Sequence, residues 1–149
     1  MEAKATFDDL RVVPFRRWHY EWLTDSNPTA DGGSFIAVDG VLGQLETQNS
    51  WTGVVEGNPI ACAGTIQQWR GRHTAWAYLG KNTAPYMVWI TKQARIQLDK
   101  VTGRIEFTVR ADFPAGQKWA GMLGFEVETP CMKGYGPEGE SHVGYVRFN

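Results

Sequence analysis

Few residues in this 149-residue chain have the type and spacing to do chemistry. The three histidines, His19, His73 and His142, and the two cysteines, Cys62 and Cys131, lack ligand spacing, so no metal site is expected. The cysteines form no CxxC and read as two reduced structural thiols. Ser141 and His142 are neighbours in sequence, which says nothing of a triad, because triad partners must meet in space. Glu106 lies on a polar face with Arg104 and Arg110, where a carboxylate commonly forms an ion pair. Tyr78 ends an apolar segment and suits a core ring with its hydroxyl directed outward. Arg70, Arg72 and Lys81, near Trp69 and Trp76, could rim a nucleic acid. They suit an anionic cofactor equally, and solvated charge is the commonest use of such residues.

Composition narrows the choice. The length suggests one domain over residues 1–149, and 42% hydrophobic residues with seven Trp can build a core. The formal net charge is −1 with signs mixed along the chain, so no global field draws nucleic acid or membrane. Met1 to Phe7 carry Glu2 and Lys4 and do not read as a signal peptide. No apolar run approaches the roughly 20 residues that span a bilayer, so the expected location is cytoplasmic.

The elements that must position these groups follow from pattern. Ala3–Phe7 reads as an edge strand, and Thr6 or Asp8 as the cap of a helix through Leu10 and Val13, interrupted at Pro14. A second helical piece over Phe15–Leu23 sets Phe15, Trp18 and Trp22 at helical spacing; it suits a lid or interface, or plain core packing. Asp25–Pro28 and Asp31–Gly33 mark a loop. Ser34–Val38 is a short apolar run before a turn at Asp39–Gly40, and 41–50 suits helix or coil. Trp51–Val55 and Pro59–Ile66 flank a hairpin turn at Glu56-Gly57-Asn58, and the small residues of the second strand call for a closely packed helix. Trp69–Arg72 is a turn, His73–Leu79 a third strand and Gly80–Thr83 a loop.

Thr83 is placed to cap a long helix with Pro85 in its first turn. Met87, Ile90, Ala94, Leu98 and Val101 are its apolar stripe, and Gly103 ends it. Ile105, Phe107 and Val109 alternate with Arg104, Glu106, Thr108 and Arg110 in a half-buried strand. Asp112 can cap the next helix, Pro114 fits its first turn and Gly124 its left-handed stop. Phe125–Met132 and His142–Phe148 are the last strands. The order predicts an α+β fold with a mixed, mostly antiparallel central sheet flanked by helices, and a parallel, right-handed crossover from Ala75 to Val109.

This order resembles the GCN5-related N-acetyltransferase (GNAT) superfamily. Val109-Arg110-Ala111 followed by Leu123-Gly124-Phe125-Glu126 is similar to the end of the family's fifth strand and fourth helix. Ala3–Leu10 resembles its opening, and Gly57–Gly64 its turn into the third strand. The resemblance covers most of the chain outside about 12–50. Within the superfamily the chain looks most like the acetyltransferase-like proteins of tailed bacteriophages.

The resemblance implies acyl transfer from acetyl-CoA to an amine, on a small molecule or a protein. The cofactor would lie against Leu79, Gly80, Lys81, Asn82, Thr83 and Ala84, with Trp119 on the far wall. Glu106 would be the base, Tyr78 a polar catalytic group, and the acceptor would enter under 24–33. Three positions depart from the family pattern. The phosphate loop has Gly80-Lys81-Asn82-Thr83-Ala84-Pro85 where the family carries further glycines; Ala120 stands at its usual Tyr and Phe113 at its usual Asn. An alternative therefore stands beside the enzyme: a phage protein that keeps the fold and binds a host or virion protein, in the host cytoplasm or the virion. Neither reading calls for a membrane or a nucleic acid, and a homodimer is left open.

Overall fold

The computed structural model describes residues 9–26, 41–46, 49–81 and 83–149. The strands are β1 (Leu10–Pro14), β2 (Asn49–Val55), β3 (Asn58–Trp69), β4 (Arg72–Leu79), β5 (Arg104–Arg110), β6 (Glu126–Met132) and β7 (His142–Phe148). The α-helices are α1 (Arg17–Ser26), α2 (Val41–Leu45), α3 (Met87–Asp99) and α4 (Pro114–Met122), and a 3-10 turn over Ala84–Tyr86 leads into α3. The strands form one seven-stranded sheet in the order β1-β2-β3-β4-β5-β7-β6. Every neighbouring pair is antiparallel except β4 with β5. The expected mixed, mostly antiparallel sheet is observed.

Successive strand residues point to opposite faces, and two core clusters follow from that. Ala75 and Ile105 join Ile90, Ala94 and Leu98 of α3 and Ala120 of α4 on one face. Trp76 and Tyr78 join Phe15, Leu23 of α1 and Leu45 of α2 on the other. The stripe predicted for α3 is buried at Ile90, Ala94 and Leu98. The helix called for by the small residues of β3 is present: α3 covers the face that carries Ala61.

Five local expectations need correction. Leu10–Pro14 is a strand rather than helix, paired with β2 from Leu10↔Val55 to Pro14↔Trp51. Val12 and Val13 favour extended backbone, and an edge strand tolerates the missing N–H of Pro14. In α1 the buried positions are His19 and Leu23, while Trp18 and Trp22 are about half exposed. Phe15 precedes the helix and is buried, so i and i+4 positions define the inner face and the tryptophans lie beside it. Thr83 makes no side-chain cap and is itself buried; the 3-10 turn intervenes before α3. Asp112 does not cap α4, because both its oxygens accept from Arg110 at 3.0 and 3.2 Å. The helix α3 stops at Asp99, before Gly103. The expectations for Ala3–Phe7, for the helix cap at Thr6 or Asp8, and for 27–40 lie outside the described residues.

Apart from the Asp112 cap, the unit from β5 to β6 has the predicted punctuation. Pro114 opens α4. At its end Phe125 N–H donates to Ala120 O at 3.1 Å and Gly124 N–H to Gly121 O at 3.0 Å. Gly124 has φ 89°, the left-handed residue this helix stop requires.

Candidate functional site

The sheet opens between β4 and β5. Their parallel pairing lasts three rungs, Arg72↔Arg104, His73↔Ile105 and Thr74↔Glu106. Beyond Thr74 and Glu106 the strands are no longer paired with each other, although β4 stays paired with β3 and β5 with β7. A wedge is left between Ala75–Leu79 and Phe107–Arg110. Backbone N–H and C=O groups facing it have lost their sheet partners, so a polar ligand can take them.

On the face of α3 and α4, a cavity of about 30 Å³ lies beneath this wedge. Ala75 and Ala77 of β4, Phe107 of β5, Ala94 of α3, and Trp119 and Leu123 of α4 are among its walls. Trp119 bridges the two helices: its indole N–H donates to Thr91 Oγ1 at 3.0 Å, and Thr91 donates on to Met87 O at 2.7 Å. With its own proton committed to the carbonyl four residues back, the Thr91 hydroxyl offers its lone pairs to the indole, which is held against α3. Thr91 and Phe107 were not singled out from sequence. The signals that could have found them were a polar residue beside the apolar stripe of α3 and a core tryptophan in need of an acceptor.

Glu106 sits at the last rung, on the opposite face. Arg72 grips it with both ends of the fork, Nε to Oε1 at 2.8 Å and Nη2 to Oε2 at 2.9 Å. Arg104 Nε adds a third bond to Oε1 at 2.8 Å, and the Arg104 guanidinium also pairs with Glu128. The bonds from Arg72, ahead of those from Arg104, hold the Glu106 carboxyl below its usual range. Arg72 in turn stacks on Trp69, 4.5 Å from its ring centre. The predicted pairing of Glu106 with Arg104 is present; Arg110 instead pairs with Asp112.

Tyr78 shares this face but is buried, edge-on to Tyr20 with ring centres 5.2 Å apart. Burial pushes the Tyr20 phenol up, with a smaller contribution from Cys62. Trp76 is buried against Phe15, and Arg72 is neutralised by Glu106, so these members of the supposed basic rim offer no stacking platform. At the far end of β7, His142 is buried and its Nε2 lies 3.2 Å from Glu140. Tyr135 packs on that imidazole at 5.2 Å between ring centres.

The turn from β4 into α3 holds the residues expected to line a cofactor. Gly80 N–H donates to Ile60 O at 2.9 Å, and a Cβ there would meet Leu23 at 2.8 Å. Tyr86 N–H donates to Thr83 O, and Met87 N–H to Ala84 O. Pro85 carries no N–H, and the amides of Gly80, Tyr86 and Met87 are all internally used, so none of these four positions offers a donor to an anion. Leu79, Gly80, Lys81, Thr83 and Ala84 run from the end of β4 into this turn, and Trp119 lines the cavity with Ala75, Ala77 and Phe107; Asn82 lies outside the described residues. Among the described residues no group of His, Cys, Asp and Glu could hold a metal ion, and no helix is long and apolar enough to cross a membrane.

No protein-family model matches the sequence, and no curated protein does. Solved structures match the fold along nearly its whole length. The Salmonella typhimurium protein yncA, solved with its cofactor acetyl-CoA, is 8% identical over 94% of each chain, with a TM-score of 0.68. Ard1 from Thermoplasma volcanium is 11% identical over 93% of this chain and 97% of its own, with a TM-score of 0.71. An acetyltransferase of the GNAT family from Bacillus anthracis is 11% identical over 97% and 96%, with a TM-score of 0.66. The open sheet, its element order and these matches together give the conclusion that the chain has the GCN5-related N-acetyltransferase fold.

Proposed function

We propose that this protein is an N-acetyltransferase that uses acetyl-CoA and an amine acceptor. The observation that carries the reading is the wedge between β4 and β5 with a small apolar cavity at its base. A thioester needs donors for its carbonyl oxygen and a dry seat for its methyl group, and the wedge offers both. The residues fit the acyl end of the cofactor well and its pyrophosphate more sparingly. Lys81 and the amides of Lys81, Thr83 and Ala84 would hold the phosphates, with Leu79 and Gly80 flooring the turn and Trp119 walling the acyl arm. Acetyl-CoA supplies an activated acetyl group: the acceptor nitrogen bonds the carbonyl carbon, the C–S bond breaks, the nitrogen releases a proton and the thiolate sulfur takes one.

The chain's own residues then have separable roles. Glu106 stays ionised because two guanidiniums hold it. In the role of base it would receive the acceptor's proton through water, as a weak base whose charge the same guanidiniums largely offset. Tyr78 shapes the same face from β4. With Ala120 at the helical position where the family carries Tyr, solvent protonates the leaving thiolate.

A second reading has its own observation. The internally bonded amides at Gly80, Tyr86 and Met87, together with Pro85, weaken the phosphate cradle. That suits a phage-encoded protein that keeps the fold and binds a host or virion protein, in the host cytoplasm or the particle. Thermal unfolding with added cofactor separates the two. At a hundred times its dissociation constant, acetyl-CoA should stabilise the enzyme by about 2.7 kcal/mol. No shift at millimolar acetyl-CoA refutes the enzyme reading, and a shift abolished by Lys81→Glu supports the proposed phosphate site.

A further inference from the structure

We propose that Trp119, held by Thr91, limits the acyl group this protein accepts to acetyl. The inference rests on the acetyl-CoA reading and adds the residue that sets chain length. The cavity under the wedge has about 30 Å³. One water needs about 10–15 Å³ by this measure, and an apolar cavity of about 150 Å³ holds benzene. As its walls stand, the space seats a methyl group, and a longer chain calls for a wall to move.

Its other walls are hard to move. Ala75 and Ala94 are buried and belong to β4 and α3, and Phe107 packs on Phe125 with ring centres 5.5 Å apart. Of the three tryptophans in its walls, Trp51 and Trp76 are buried in the sheet, and Trp119, on a short helix, is only partly buried. Left free, it could swing aside for a longer acyl chain. The bond from its indole to Thr91, backed by the bond from Thr91 to Met87 O, opposes that movement. Moving the ring would leave the buried Thr91 hydroxyl without its donor and the indole N–H without its acceptor. The device is thus a wall fixed by one hydrogen bond across two helices.

The test is calorimetric binding of CoA, acetyl-CoA and butyryl-CoA to the purified wild-type protein and to Trp119→Ala and Thr91→Val. A methylene that a pocket cannot seat costs about tenfold or more in discrimination. Wild type should bind butyryl-CoA at least tenfold more weakly than acetyl-CoA. Trp119→Ala should abolish that difference, and Thr91→Val, which keeps the volume and removes the acceptor, should reduce it severalfold. Equal binding of the two thioesters by wild type overturns the inference and leaves the acetyl-CoA reading standing. So does discrimination unchanged in Thr91→Val, a variant that conserves core volume and keeps the test valid should Trp119→Ala fail to fold. Absence of binding by CoA and both thioesters overturns the functional reading, and the inference with it.

Discussion

The Arg72–Glu106–Arg104 cluster holds together the three-rung joint between the two halves of the sheet, and its strength can be measured. In Glu106→Gln the carboxamide keeps one acceptor oxygen but loses the charge, so at most part of three bonds at 2.8–2.9 Å survives. Hydrogen bonds to charged groups contribute about 1.5–3 kcal/mol each. Glu106 is about a quarter exposed, so solvent screening cuts the total sharply. A net loss of about 2 kcal/mol follows, or roughly 4–8 °C in Tm for a domain of this size. Urea is the right denaturant, because guanidinium salts would screen the pair. Combining Glu106→Gln with Arg72→Met closes a double-mutant cycle, whose coupling should exceed the error of additivity. The cluster also has a pH signature. The folded carboxyl holds its proton more weakly than the unfolded one, so its stabilisation is complete above about pH 4.3. It is lost as pH falls through the lower folded value. A coupling below about 0.5 kcal/mol at pH 7, within the error of additivity, would show that the joint is held by backbone pairing alone.

Three further outcomes are expected. Gly103→Ala should destabilise by about 2 kcal/mol or more in urea: its φ is 103°, and a Cβ would stand 2.6 Å from Gly71 O; an unchanged midpoint would count against this packing. His19 Nδ1 accepts from Arg16 N–H at 3.0 Å and lies 2.8 Å from the Thr52 hydroxyl. Burial, then the charge of Arg16, push its pKa down, so stability present above about pH 6.5 should be lost as pH falls through the folded value, and His19→Gln should flatten that dependence of the urea midpoint. Finally, an aromatic disulfide reagent should titrate one thiol in the native protein, the exposed Cys131. Buried Cys62, its thiol pushed up by desolvation, should react only after unfolding, and two fast thiols would contradict its burial.

How much of this was legible in the sequence depends on how local the cause is. The hairpin at Glu56–Asn58 and the stop at Gly124 are set by neighbouring residues, and both appear where the pattern put them. The stripe of α3 is similarly local. Leu10–Pro14 was misread because its fate depends on pairing with Val55 through Trp51, some 40 residues away. Asp112 and Thr83 look like caps in isolation; Arg110 takes the first and the packing of the β4–α3 turn buries the second. For the candidate site, the pairing of Glu106 with Arg104 was readable two residues along a strand. Its stronger bond to Arg72 was not, since that residue belongs to another strand. The wedge, its cavity and the Trp119–Thr91 bond arise where three elements meet, and no window of sequence contains them.

The position of β7 governs how the chain can be assembled. It follows β6 in sequence yet lies between β5 and β6. Beyond its strand partners, Arg147 Nη1 donates to Leu123 O at the end of α4, and Asn149 Nδ2 to Leu98 O and Val101 O at the end of α3. A chain growing on the ribosome therefore has β5 joined to β4 by three rungs and β6 joined to no strand until residues 142–148 emerge. The strands β1 to β4 can zip in order as they appear, through near neighbours. The other half of the sheet waits for one strand to slot into its middle, so the wedge that forms the candidate site is completed on its β5 side only after residues 142–148 have emerged.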